Sequence, residues 1–294
     1  MQKTLSNKFV IFTLVLPGIL MFFAAILFPI ILSIYYGMTD SMGIGNMNFI
    51  GLKNYIYLLT KDEVFYKALV NSFLIGIAYI FIQHPICILF AIMLDRVSGK
   101  LEKFFRTVYF IPSVIAVVVV TKLWVYLYNP EFGVFNKILV FIGLGEYQQQ
   151  WLGDVNLAFP SVLVMTIWIG FGWGLLMYYA GVKGIPNEMY EAAKIDGAGT
   201  VKIHTKITIP LLSPIIRVNI VLAMINALKQ MEIIYISTDG GPANSTQVVA
   251  NYLYSKAFKS FEFGYANAIS VVFVVICLIS TLGINKMFRR DVDI

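Results

Sequence analysis

Ile185–Pro210 reads IPNEMYEAAKIDGAGTVKIHTKITIP, a polar, helix-punctuated stretch in a chain that is otherwise largely apolar. Pro186 suits a first helical turn, Asn187 to Asp196 predicts about three turns of helix, and Gly197 supplies a stop. Thr200 is placed to cap a second short helix through Lys206, and Pro210 and Pro214 punctuate the entry into the next apolar run. At helical spacing Met189, Ala192, Ala193 and Asp196 share one face. That face carries small side chains, so another surface can approach its backbone closely, and Glu191 beside it offers a charge to a basic group. As a helix pair the stretch could be mere connection. A loop that only joins neighbouring helices is usually a few residues long, however.

The surroundings of this stretch are those of a membrane protein. Of 294 residues, 59% are apolar and 13% charged, against roughly 25% charged in a soluble domain. The mean hydropathy is +0.79. A bilayer core takes about 20 apolar helical residues to cross. Stretches of that kind run over approximately Val10–Tyr36, Val70–Leu94, Val108–Tyr128, Leu157–Tyr179, Ile215–Ile236 and Ala266–Leu282. The expected fold class is therefore an all-α integral membrane protein with six transmembrane helices. The first run follows Lys3 and Lys8, but it is too long for a signal-peptide core and has no A-x-A cleavage site. It is read as an uncleaved span.

Orientation follows from lysine and arginine. One side would hold Lys3, Lys8, Arg96, Lys100, Lys103, Arg106, Lys183, Lys194, Lys202, Lys206, Lys286, Arg289 and Arg290. The other would hold only Lys53, Lys61, Lys137, Lys256 and Lys259, with Lys67 at a boundary. Both termini are expected in the cytoplasm. The net charge of +6 is thus a topology signal and not a nucleic-acid patch. Cys87 and Cys277 both sit in apolar runs, which excludes a disulfide framework. No zinc spacing, phosphate loop or dinucleotide fingerprint occurs, and no nucleophile–base constellation points to an enzyme. Organisation is expected as 1–66 (first span and external loop), 67–285 (a core holding the polar loop, 181–213) and 286–294 (a tail). In the external loops, Tyr147–Trp151 reads as a membrane-edge anchor and Thr238-Asp-Gly-Gly-Pro242 as a sharp turn.

Polar groups at membrane depth mark a pathway or an internal pair. The fifth span carries Asn226, Lys229, Gln230 and Glu232. Lys229 and Glu232, three apart, could neutralise each other, or the group could form a polar wall on a water-filled path. Lys122 can snorkel from the end of the third span. In the fourth, Thr166, Trp168, Gly170, Trp173 and Gly174 combine glycines with indoles. The Gly170-x-x-x-Gly174 spacing serves helix packing, or leaves room beside an aromatic plate for a sugar, whose C–H faces are apolar and whose rim is hydroxyl. His84, before Pro85, is expected as a hydrogen-bonded core residue with no assigned role. A proton-coupled carrier would show internal repeats and mid-membrane acids. Glu232 alone qualifies, and no repeat is visible.

The long pattern Glu191-Ala192-Ala193, three residues, Gly197, nine residues, then Ile207-Thr208-Ile209-Pro210 resembles the EAA loop of importer-type ABC permeases. The one departure is Ile209, where the family has leucine. Phe49-Ile-Gly-Leu-Lys-Asn-Tyr55, Trp151-Leu-Gly-Asp154, Thr238-Asp-Gly-Gly-Pro242 and Phe263-Gly-Tyr-Ala266 resemble its carbohydrate-uptake branch, so the likeness covers nearly the whole chain. The resemblance implies the type I importer permease fold in a bacterial or archaeal cell (inner) membrane, and a half-channel for a sugar or oligosaccharide. Its partners would be a second related permease, two ATPase subunits and an extracytoplasmic solute-binding protein. ATP and Mg would be bound by the ATPases, so this chain is expected to carry no cofactor and no catalytic or metal site. Met189, Glu191, Ala192, Ala193, Asp196 and Gly197 would form the coupling helix seated in an ATPase. Carried over position by position, the sugar contacts fall on Thr166, Ile169, Gly170, Trp173, Asn226, Ala227 and Gln230, and more loosely on Ser113 and Val117. Lys229 and Glu232 add charges to that path. The chain is shorter than the larger members of the branch and stops soon after Arg289-Arg290, which suggests the first of two permeases in a heterodimer. The alternatives are an ion-coupled secondary sugar carrier, or a permease for glycerol phosphate or a related polyol derivative, since Lys229 could favour an anion.

Overall fold

The computed structural model describes residues 8–287. Lys3, Arg289 and Arg290, and the expected tail from 288 on, lie outside the described residues. Regular structure among the described residues is helical, with one isolated bridge between Thr39 and Phe49. Backbone groups in hydrocarbon find no water to bond, so spanning segments must satisfy them within a helix.

In chain order the helices are α1 (Phe9–Gly37), α2 (Lys53–Thr60), α3 (Glu63–Asp95), α4 (Gly99–Val114), α5 (Val117–Leu127) and α6 (Val134–Phe141). They continue as α7 (Ala158–Lys183), α8 (Asn187–Ile195), α9 (Thr200–Leu211), α10 (Ser213–Lys229), α11 (Glu232–Ser237), α12 (Val249–Tyr254) and α13 (Phe263–Lys286). Helices α1, α3, α7 and α13 are each long and apolar enough to cross a membrane. The pairs α4–α5 and α9–α10 reach that length only together, and bend by 96° and 66° at their breaks. Counting each pair as one span gives six.

Two expected spans are therefore not single helices. The third, expected over Val108–Tyr128, breaks where Ile115 and Ala116 turn extended, with ψ of 139° and 130°. Pro112 has no amide hydrogen for this last turn, and the final bond, Ile115 N to Ile111 O, has stretched to 3.4 Å. The fifth, expected over Ile215–Ile236, ends at Lys229; Gln230 is extended and Glu232 starts a new helix. No proline or glycine announces this break. Ile233 and Ile234 beyond it are buried with Val120 and Trp124, so packing against α5 carries the chain away from the line of α10.

Three other prolines bend nothing so sharply. Pro29, Pro85 and Pro210 each follow a π-helical turn, Phe23–Leu27, Tyr79–Gln83 and His204–Thr208. The residue four before each proline, whose carbonyl its ring would strike, lies mid-turn: Ala25, Phe81 and Lys206. Widening the turn absorbs the clash; the helix runs on past Pro29 and Pro85, and past Pro210 only as far as Leu211, where α9 gives way to α10.

The described residues divide into two compact units. One takes those up to Asp62 with Leu253–Ile276; the other takes Glu63–Tyr252 and those from Cys277 on. In the first, Asn54 donates to the carbonyls of Gly37 and Thr39 (3.0 and 2.9 Å), folding α2 back on the end of α1. Asn48 donates to Asp40 from both its backbone and its amide, which holds the Asp40 carboxyl below its usual range. Tyr265 donates to Asp62, and Gly264 lies so close to the Thr39 carbonyl that no Cβ would fit.

In the second unit α7 packs against both α3 and α4, and α10 packs on α3. The expected turn at Thr238–Pro242 is present, with Asp239 and Gly240 at positive φ (52° and 88°). Trp151, expected as a membrane-edge anchor, is half-buried, its indole donating to Asn136 at 2.9 Å. Asn71, buried in α3, ties the segment after the turn in place by donating to the carbonyls of Ser245 and Gln247, both at 2.9 Å. Asn71→Ala leaves two carbonyls without this donor, a loss of about 1–3 kcal/mol. The expected result is a lower midpoint of thermal unfolding in detergent; an unchanged midpoint would mean that these bonds contribute nothing.

Candidate functional site

The site grows from three glycines on α7. A Cβ at Gly170 would lie 2.6 Å from the Gln83 amide nitrogen, one at Gly172 2.7 Å from the Tyr109 carbonyl, and one at Gly174 2.9 Å from Cys87 Sγ. The absence of side chains there lets α3 and α4 close on α7, the small-residue packing of membrane helices. Gln83 uses the proximity to donate to the Ile167 carbonyl at 2.9 Å, and Ser113 to donate to that of Ile169 at 2.9 Å. The reading of Gly170 and Gly174 as packing positions holds, and Gly172 between them packs as well.

The same glycines leave a hollow. A cavity of about 340 Å³ opens between α3, α7 and α10. Gly170, Trp173 and Met177 line it from α7, Asn219 and Asn226 from α10. Tyr79, Gln83 and His84 close it from α3, where the π turn widens that helix. Trp173 is 60% exposed, its indole set edge-to-face against Phe110.

Of the positions expected along a substrate path, Gly170, Trp173 and Asn226 line this cavity. Thr166 is buried one turn away and donates to Leu163. Ile169 and Val117 are half-buried against an apolar cluster, and Ala227 is fully buried within it. The Ser113 hydroxyl is engaged with the α7 backbone. Gln230 sits half-buried in the break after α10, with Lys229 and Glu232 exposed on either side. These two cannot share a helical face, because one ends α10 and the other begins α11. The ion pairs found among the described residues, Glu102–Arg106, Asp95–Lys183 and Lys256–Glu262, do not include them. The ion-pair reading is corrected accordingly. His84 is also corrected: it is buried, but neither ring nitrogen has a hydrogen-bond partner, and its ring meets Tyr178 edge-on. Tyr79, Gln83 and Asn219 give no sign in the sequence because no motif or spacing links them; only the fold brings them together.

The polar loop folds largely as its residues suggest. Pro186 is the N-cap of α8, one position before the helix. Gly197 stops it at φ +73°. Gly197 N bonds Lys194 O and Ala198 N bonds Ala193 O, the paired closure of a Schellman motif. Gly199, not Thr200, caps α9; Thr200 is its first residue, and the helix passes Lys206 to reach Leu211. No residue of α8 is buried: Glu191 and Ala192 are exposed, Ala193 is half-buried, and Met189 and Ile195 are 41% and 87% exposed. Asp196 and Gly197, just past its end, are exposed as well.

The back of α8 is tied down by a chain of bonds. Tyr190 and His204 both meet the Thr208 hydroxyl, at 3.2 and 3.0 Å, and His204 Nε2 faces the Arg96 guanidinium at 2.8 Å. A guanidinium only donates, so Nε2 accepts and Nδ1 carries the hydrogen toward Thr208. Beside it Lys183, at the end of α7, pairs with Asp95 at 2.8 Å. Thus α8 and α9 are joined to the ends of α3 and α7, the helices that wall the cavity.

Residues 85–293 match the family described as binding-protein-dependent transport system inner membrane component. The chain belongs to that family. It is a multi-pass membrane protein of the ABC transporter permease type. The permease is 35% identical to the probable ABC transporter permease protein YurN of Bacillus subtilis, with 97% of each chain covered. It is 30% identical to the trehalose/maltose transport system permease protein MalF of Thermococcus litoralis, over 95% of this chain and 94% of that one. Its fold superposes with a TM-score of 0.84 and 25% identity on a chain of a bacterial alginate ABC transporter, solved in complex with alginate pentasaccharide-bound periplasmic protein. That match covers 100% of this chain and 98% of the other.

The packing at α7 yields a test. A Gly172→Val side chain would drive into the Tyr109 carbonyl and the Ser113 hydroxyl, and backbone cannot yield as a flexible side chain can. The variant is expected to lose most of its folded yield in detergent-solubilised membranes, measured by size-exclusion chromatography. A wild-type yield would show that α4 does not press on α7.

Proposed function

We propose that this permease forms half of the translocation pathway of an ATP-driven sugar or oligosaccharide importer. The observation that carries the reading is the pairing of a cavity beside Trp173 with a surface helix, α8, bonded to the helices that wall that cavity. An exposed indole beside Asn226, Asn219 and Gln83 offers an apolar plate with amides around it, which suits a sugar better than a lipid or an ion. The trehalose/maltose and alginate relatives are consistent with that class. The lysine and arginine distribution supports both termini, and with them α8, on the cytoplasmic side of a bacterial or archaeal cell membrane.

In this reading α8 sits in a cleft of an ATPase subunit through Met189, Glu191, Ala192, Ala193, Asp196 and Gly197. Two ATPases bind and hydrolyse ATP with Mg, a second permease completes the channel, and a solute-binding protein delivers sugar from outside. The chain itself does no chemistry. ATPase closure pushes α8, and the Tyr190–Thr208–His204–Arg96 chain passes the motion to α3 as a rigid-body shift. Thr166, Gly170, Trp173, Asn226 and Gln230 remain the proposed contacts of the sugar path. Ser113, Ile169, Val117 and Ala227 would shape its walls, with Lys229 and Glu232 at its rim. The dependence of the family on a binding protein disfavours the ion-coupled carrier, and a neutral cavity disfavours a polyol phosphate.

Two variants separate coupling from transport. Glu191→Lys reverses the charge offered to the ATPase, and Gly197→Pro cannot adopt the positive φ that ends α8. In proteoliposomes each is expected to insert normally and to lose ATP hydrolysis stimulated by the loaded binding protein; normal stimulation would remove α8 from the coupling role. Trp173→Ala and Gln230→Ala are expected to cut sugar uptake about tenfold or more while the ATPases still co-purify. Unchanged uptake kinetics in both would remove the proposed sugar path.

A further inference from the structure

We infer that the cavity contains a second, inner saccharide subsite, in which His84 and Asn219 bond one ring of a neutral oligosaccharide while Trp173 receives the next. This rests on the sugar reading above. The subsite lies toward Met177, beyond the positions expected for sugar contact.

His84 is 7% exposed and lines the cavity, yet both its ring nitrogens lack a hydrogen-bond partner. A neutral imidazole always presents one donor and one acceptor, and a buried polar group left unpaired is costly. A side chain of that kind in a purely structural core would be disfavoured against any apolar residue. At the wall of a pathway its unspent bonds are available to a hydroxyl, which can both give and take a hydrogen. Asn219 stands across from it on α10. Its amide nitrogen is engaged with Ile215 at 3.1 Å, and its carbonyl oxygen is the group left to accept. The π turn Tyr79–Gln83 ends immediately before His84, and such turns are frequent at functional sites.

Length and charge define the ligand class. Gly170 to Met177 on α7, and Asn226 to Asn219 on α10, each span about 10 Å of helix, room for more than one hexose ring end to end. None of the side chains lining the cavity is charged, so a neutral sugar fits and an acidic one finds no counter-ion there.

The test is uptake of neutral hexose oligosaccharides, one to six rings long and of mixed linkage, into proteoliposomes holding the complete transporter with its ATPases and binding protein. His84→Ala and Asn219→Ala are each expected to lower uptake of members with two or more rings about tenfold, through KM more than kcat. His84→Gln, which keeps a donor and an acceptor, is expected to restore most of it. Wild-type KM values across the series in both alanine variants would overturn the subsite while leaving the sugar reading intact, as would a wild-type transporter restricted to single rings. A wild-type transporter that moves no neutral sugar would overturn the underlying reading, and the inference with it.

Discussion

The close approach of α3 and α4 to α7 is the contact on which the rest of this permease depends. At Gly170, Gly172 and Gly174 neighbouring backbone and side-chain atoms occupy the space a Cβ would need. In lipid no hydrophobic force presses helices together, because the tails are as apolar as leucine. Close packing and bonds such as Gln83 to Ile167 and Ser113 to Ile169 must do it. The same absence of side chains that brings the helices together also leaves Trp173 facing a hollow. Packing and cavity are two consequences of one row of glycines.

Proline has two outcomes in this chain. At Pro29 and Pro85 a π turn takes in the displaced carbonyl and the helix continues, whereas past Pro210, which also follows a π turn, the helix ends at Leu211. At Pro112 the helix instead stops two residues later and the chain turns by 96°. The π turn in α3 lies against the cavity and directly precedes His84.

The polar loop joins local and distant physics. Its helix ends where Gly197 permits a positive φ, a matter of one residue's backbone. Its attachment to other helices depends on Thr208, eighteen residues after Tyr190, whose hydroxyl meets both the Tyr190 hydroxyl and His204. Arg96, far away in sequence, closes the chain. These directional bonds join α8 to α3 without α8 being buried.

Much of this is legible in the residues alone. Apolar length sets the number of crossings, Gly197 and the EAA spacing set the loop, and Gly170 with Gly174 marks a contact face, because these depend on local geometry and solvent. The breaks in the third and fifth spans are not legible in the same way, since the one at Gln230 answers to the burial of Ile233 and Ile234 and not to any breaker residue. The alternative of a Lys229–Glu232 ion pair fails for the same reason. His84 reads as an ordinary bonded core residue, and Tyr79, Gln83 and Asn219 carry no signal at all, because an uncharged polar residue in a span looks the same whether it faces lipid, core or cavity. Sequence by itself determined which segments are helical and where the loop turns. Only the tertiary structure decided which polar side chains meet, because that depends on how close three glycines allow their neighbours to come.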